Sequence, residues 1–145
     1  MKIFIGSDHG GFLLKQKIKD FFSAQGKHQI VDLGPKSSES VDYPVFGKKV
    51  GEAVVEIPGS LGIVLCGSGI GISIAANKVK GVRCALCNSK ELAKLGREHN
   101  EANVLAMGER TQSVDDPLEI VETFISTEVD KEERHERRRA MLNEG

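Results

Sequence analysis

Two hydrophobic patterns alternate along the chain. Short continuous apolar runs, such as Ile3-Phe4-Ile5 and Leu61-Gly62-Ile63-Val64-Leu65-Cys66, read as strands buried on both faces. Between them, apolar residues recur at helical spacing. Leu14, Ile18, Phe21 and Phe22 share one face of a predicted helix that Gln25-Gly26 ends. Phe46, Val50, Ala53 and Val54 form a second stripe, entered through Asp42-Tyr43-Pro44 and broken at Pro58-Gly59. Strands are predicted at 2–6, 28–32, 61–66, 82–86 and 103–107, and helices at 72–79 and 89–98. A further helix carries Leu118, Val121, Phe124 and Ile125 behind Asp115-Asp116-Pro117. A last, highly charged helix spans about 131–142. Five strands separated by helices of crossover length predict one α/β domain over 1–145, a parallel sheet with helices on both faces. The last helix has too few apolar positions for an ordinary core helix and is expected to pack loosely or on a partner subunit.

This architecture limits where chemistry can sit. Ligands of open parallel sheets bind beyond the carboxyl ends of the strands, where strand order reverses. With an assumed order 2-1-3-4-5, the reversal lies between the first and third strands. Ser7-Asp8-His9-Gly10-Gly11 and Cys66-Gly67-Ser68-Gly69-Ile70-Gly71 are then expected to meet.

Charge adds little overall and more locally. The 145 residues carry a net charge of −1, which gives no electrostatic case for nucleic-acid binding. The segment Arg134-His135-Glu136-Arg137-Arg138-Arg139 is strongly basic. Met1-Lys2 runs directly into the first strand, and Cys66, Cys84 and Cys87 are an odd number of cysteines. Free thiols in a reducing cytoplasm follow as the expectation. No apolar run approaches a membrane span, so no membrane partner is expected.

Each candidate segment has a functional and a plainer reading. The glycines at 67, 69 and 71 let backbone N–H groups converge on an anion at a helix start, or simply make a tight turn. Ile72 stands where a dinucleotide fingerprint needs its third glycine, and no Gly-Lys-Ser/Thr is present for a nucleotide phosphate loop. Cys66 closes the buried third strand. It is either an inert small hydrophobe or, at a helix N-terminus whose positive end favours thiolate, a base or nucleophile. Cys84 and Cys87 point to opposite faces of a strand without further ligands nearby, so no metal is predicted. Asp8-His9 suits proton transfer or hydroxyl binding, or a helix cap with a solvent-facing imidazole. His99 complements a helix dipole or does chemistry with Asn100. Arg134 and Arg138 lie i, i+4 on one face and fit a phosphate; Arg137 and Arg139 read as a solvated face.

Taken together, the segments Gly6–Phe12, Asp42–Pro44, Cys66–Lys78, Arg97–Asn100, Asn103–Arg110 and Arg134–Arg138 resemble, in order, the family containing ribose-5-phosphate isomerase type B and the galactose-6-phosphate isomerase subunits. The resemblance implies a Rossmann-like three-layer α/β/α sandwich with a five-stranded parallel sheet. It also implies a homodimer, or a tetramer, with sites at the subunit interface, and no metal or organic cofactor. The implied reaction interconverts ribose 5-phosphate and ribulose 5-phosphate in the pentose phosphate pathway. Rival substrates are allose and galactose 6-phosphate, and a rival class is a non-catalytic sugar-phosphate binding module. By the same resemblance, Cys66 moves the proton between C1 and C2, and His99 opens the furanose ring. Asp8 holds sugar hydroxyls and Ser68 shuttles protons between the oxygens. The amides of Gly67, Gly69, Ile70 and Gly71 stabilise the enediolate, while His9, Arg110, Arg134 and Arg138 clamp the phosphate. Asn100 contacts the sugar and Tyr43 lines the pocket. Some members use a glutamate at the position of Ile72 as base, so this chain is of the cysteine type.

Overall fold

A computed structural model describes residues 1–144. In chain order the elements are β1 (Lys2–Ser7), a 3-10 turn (His9–Gly11), α1 (Phe12–Gln25), β2 (Gln29–Asp32), α2 (Tyr43–Glu56) and β3 (Leu61–Cys66). There follow α3 (Ile70–Asn77), β4 (Cys84–Leu86), α4 (Lys90–Asn100), β5 (Val104–Gly108), α5 (Pro117–Ser126) and α6 (Glu133–Leu142). All strand pairs are parallel, and the order is β2-β1-β3-β5-β4. This corrects the assumed order at one edge: β5 inserts between β3 and β4. The residues explain it. The first four residues of β5, Val104 to Met107, are buried on both faces, as a central strand requires. Three-residue β4 is half-buried with Leu86 exposed, as suits an edge. The reversal between β1 and β3 is unaffected.

Alternation along the strands builds two cores. Ile3, Ile5, Ile63, Leu65, Leu105 and Met107 face α1, α4 and α5, where Ile18, Phe22, Ala93, Ile120 and Phe124 cover them. Phe4, Val64, Cys66, Val104 and Ala106 face α2 and α3, against Val50, Val54, Ile72 and Ala76. No described helix is long and apolar enough to cross a membrane.

The helix boundaries follow local chemistry. Gly26 ends α1 in the left-handed region at φ 68°. Ser89 caps α4 by accepting from Leu92 N–H, and Asp116 caps α5 by accepting from Leu118 N–H. A polar tie joins α1 to β2. Lys15 is fully buried, and its Nζ lies 2.8 and 2.9 Å from the Asp32 carboxylate oxygens and 2.6 Å from Pro35 O. Burial alone would raise the Asp32 carboxyl. The hydrogen bonds from Lys15 and the Gly34 N–H, with the Lys15 charge and Lys19, instead hold it below the usual carboxylate range.

Helix α6 is not loosely attached. Its polar residues His135 and Arg139 are buried against α4 of the same chain, which corrects the solvated-face reading of Arg139. Arg137 does lie on the exposed face, paired with Glu133 one turn earlier.

Candidate active site

The two glycine-rich segments meet at the carboxyl edge of the sheet, as their positions after β1 and β3 require. A Cβ built on Gly10 would lie 3.1 Å from Gly67 N, so the loops touch backbone to backbone. Asp8 is buried and its Oδ1 accepts from Gly11 N–H at 3.1 Å, capping the 3-10 turn. The cap reading of Asp8 is therefore realised, at a place that also faces the Cys66 loop. His9 Nδ1 accepts from Val41 N–H at 3.2 Å, so the neutral ring carries its proton on Nε2, as a donor.

Cys66 is buried at the end of β3, and Gly69 N–H donates to its sulfur at 3.1 Å. Gly69 holds φ 81° at the N-cap of α3, a conformation only glycine takes readily, and this turns the chain so that its amide faces back to Cys66. Ser68 Oγ accepts from Ile70 N–H at 3.1 Å. The remaining N–H groups of the first turn of α3 have no intrahelical acceptor, which makes this helix start a cradle for an oxyanion. Two side chains close over it. Tyr43, at the start of α2, lies against Gly71: a Cβ there would sit 2.6 Å from its ring. Arg110 lies over Gly67, its Nη1 3.6 Å from where a Cβ would be, and its backbone N–H donates to Gly67 O at 2.9 Å. Glu109, which sequence reasoning missed, accepts from Leu14 N–H at 2.7 Å and ties this loop to the start of α1.

The other predicted residues gather at the opposite edge. His99 and Asn100 end α4, whose chain then enters the amino end of β5. In the β3–β5 register Gly62 pairs with Val104 and Cys66 with Gly108. At about 3.3 Å per residue, the Gly62-to-Cys66 stretch of β3, about 13 Å, stands between the two groups. Within one chain Cys66, Asp8, Ser68, His9, Tyr43 and Arg110 come together, while His99, Asn100, Arg134 and Arg138 form a second set. Arg134 and Arg138 are exposed on α6. Arg134 pairs with Glu132, and among the described residues Arg138 has no hydrogen-bond or ion-pair partner.

The His99 ring stacks on His135, with centroids 4.4 Å apart and planes within 6°. His99, Asp130 and His135 place ligand-type atoms within 4.8 Å of one another. Imidazole nitrogens bind metals in the ring plane, and two parallel planes share no point, so these rings do not converge on one ion.

Cys84 and Cys87 lie on opposite faces of the sheet, one in each core. Burial pushes Cys87 up to about 11 and raises Cys84 as well, with the neighbouring Cys87 adding to it. Both suit structural thiols.

The family model described as Ribose/Galactose Isomerase matches residues 3–142. The chain belongs to this family. Within the ribose/galactose isomerase family, the chain is 47% identical over 145 residues to ribose-5-phosphate isomerase B of Mycolicibacterium paratuberculosis, covering 99% of this chain and 91% of that protein. Identity to the Escherichia coli ribose-5-phosphate isomerase B is 40% over 139 residues, covering 94% and 91%. Among solved structures, ribose 5-phosphate isomerase B from Thermotoga maritima superposes with a TM-score of 0.93 at 44% identity, covering 99% of this chain and 98% of that one. The Clostridium thermocellum enzyme gives 0.91 at 50% identity, with 99% and 96% covered.

Proposed function

We propose that this member of the ribose/galactose isomerase family interconverts ribose 5-phosphate and ribulose 5-phosphate, with each site assembled from the two edge groups of different subunits. The observation that carries this reading is the Cys66 thiol lodged beneath an amide-lined helix start in a chain 47% identical to a ribose-5-phosphate isomerase B. A pure sugar-phosphate binder has no use for such a thiol.

In the aldose-to-ketose direction, His99 transfers the O1 proton toward the ring oxygen and opens the furanose. The Cys66 thiolate then takes the C2 proton. The C–H electron pair becomes the C1=C2 bond, and the negative charge on O1 is held by the loop amides. One such preorganised donor is commonly worth about 3 kcal/mol. Ser68 passes the O2 proton to O1, and the Cys66 thiol returns its proton to C1 as C2=O forms. Asp8 holds the sugar hydroxyls, with Asn100 as a second contact. His9, Arg110, Arg134 and Arg138 take the phosphate, whose binding energy holds the reacting carbons over the thiol.

Separation of the two groups along β3 supports a homodimer, because each edge of one copy holds only half the set. Exposed apolar residues lie beside the loop: Ile70, Leu86 and Leu92 line an open cavity of about 330 Å³ with Ser68. They suit cover by a second copy. Place of action is assigned to the cytoplasm and the pentose phosphate pathway on the strength of the substrate.

Steady-state turnover of ribose 5-phosphate, run beside allose and galactose 6-phosphate, tests the proposal. The expected result is efficient pentose turnover with weak hexose activity. A hexose preference would move the substrate assignment, and binding of all three sugars without turnover would overturn the catalytic reading.

A further inference from the structure

The carboxyl end of α4 is held in an unusual way. Five consecutive carbonyls, from Glu98 to Ala102, each have a defined donor. Glu98 O accepts from Asp130 N–H at 2.9 Å. His99 O accepts from Arg139 Nη1 at 2.9 Å. Asn100 O and Glu101 O accept from Arg83 at 3.0 and 2.9 Å, and Ala102 O accepts from Arg97 Nη1 at 2.7 Å. A helix end normally leaves such carbonyls to water or to a glycine turn. Here the turn passes through Glu101 in the left-handed region at φ 46°, the one non-glycine residue with positive φ among those described. Three guanidinium groups from three parts of the chain fix it.

Two of the contacts converge on one residue. His135 and Arg139 lie one turn apart on the buried face of α6. The first stacks on the His99 ring and the second grips the His99 carbonyl. Arg139 is only 6% exposed, and its ion-pair partner is the Glu101 carboxylate at 3.6 Å from Nε. A buried guanidinium is costly unless it is well hydrogen-bonded, so Arg139 has no reason to enter this position except the groups it holds. It also docks α6 onto α4, which places Arg134 and Arg138 on the same rigid unit as His99.

We propose that Arg139 is a positioning residue for ring opening: it acts through the His99 backbone to fix the direction of the His99 imidazole. The proposal rests on the reading of His99 as the ring-opening group, and it separates from the proton transfer at Cys66, which occurs at the other edge.

The test uses two substrates and the full-length protein. Ribose 5-phosphate must be opened, whereas 4-deoxyribose 5-phosphate lacks the ring-forming hydroxyl and is permanently open-chain. His99→Asn is measured first. Selective loss of kcat on ribose 5-phosphate supports the His99 assignment, and equal loss on both substrates, or none, defeats that assignment itself. Against that reference, Arg139→Met is expected to lower kcat on ribose 5-phosphate by about ten- to a hundredfold, the scale of a small misplacement of a reacting group, and to leave kcat on the open-chain analogue within about twofold. Arg139→Lys keeps a donor and the charge and is expected to show a smaller loss with the same selectivity; it carries the test if the Met variant does not fold. If His99→Asn is selective but the Arg139 variants lose both activities equally, or lose neither, Arg139 is a structural prop and the proposal is overturned.

Discussion

Cys66 and the loop after it act as one unit, because the Gly69 amide that shapes the helix start is also the donor to the sulfur. On the proposed mechanism, Cys66→Ala removes the base but not the cradle. Turnover is expected to vanish, while affinity for ribose 5-phosphate measured by calorimetry stays within about tenfold of wild type, since the proposed base and phosphate clamp are separate groups. Retained turnover would remove Cys66 as base. Two glycines of the loop should respond differently to a methyl group. At Gly71 the obstacle is the Tyr43 ring, 2.6 Å from the added Cβ, and Tyr43 is an exposed side chain free to swing away. Gly71→Ala is expected to fold normally and to raise KM as Tyr43 leaves the pocket wall. At Gly69 the obstacles include backbone, Met107 C at 2.8 Å and Gly108 N at 3.0 Å, and φ is 81°. Gly69→Ala is expected to cost at least about 1–2 kcal/mol of stability from the backbone conformation alone, read in urea melts. Equal melting midpoints for the two variants would contradict this account of the loop.

Among the elements, the sequence made the alternation of strands and helices and the meeting of the two glycine segments legible, because periodicity and strand-end position depend on local order. The pairing of β5 with β3 departs from the assumed order, yet a signal for it exists in the chain: residues 104–107 are apolar on both faces, while residues 82–86 carry Arg83 and suit an edge. Helix α6 was harder. Its charge was plain, but whether a polar residue is buried depends on partners far away in sequence. Arg139 meets His99, 40 positions earlier, and no local pattern announces that. The Lys15–Asp32 tie was missed for the same reason. It gives a test at this scale. The native Asp32 carboxyl lies below its unfolded value, so its stabilising contribution is complete above the unfolded value, near 3.9, and is lost as pH falls through the lower native value. Asp32→Asn leaves the buried Lys15 ammonium without a counter-charge and is expected to cost about 3–5 kcal/mol at pH 7. The difference between variant and wild type should shrink toward pH 2–3 in urea melts. A difference independent of pH would show that the carboxylate charge is not what ties β2 to α1.

For the whole molecule, the parallel sheet sets the central constraint. Cys66 and Asp8 follow strands at its carboxyl edge, whereas His99 and the α6 arginines lie where α4 returns to its amino edge. On the proposed reading, ring opening and enediolate chemistry on one small sugar then need two chains, each contributing a different edge. Complementation tests this most directly. Cys66→Ala and His99→Asn, each inactive alone on ribose 5-phosphate, are refolded together and assayed as the mixed dimer. One site of that dimer combines both mutated edges and the other combines two intact edges. With random pairing, about half of the dimers are mixed and each has one good site, so activity should return to about a quarter of wild type. If native mass spectrometry shows mixed dimers and the preparation remains inactive, the two groups do not share a site across subunits, and the composite isomerase site described here is wrong.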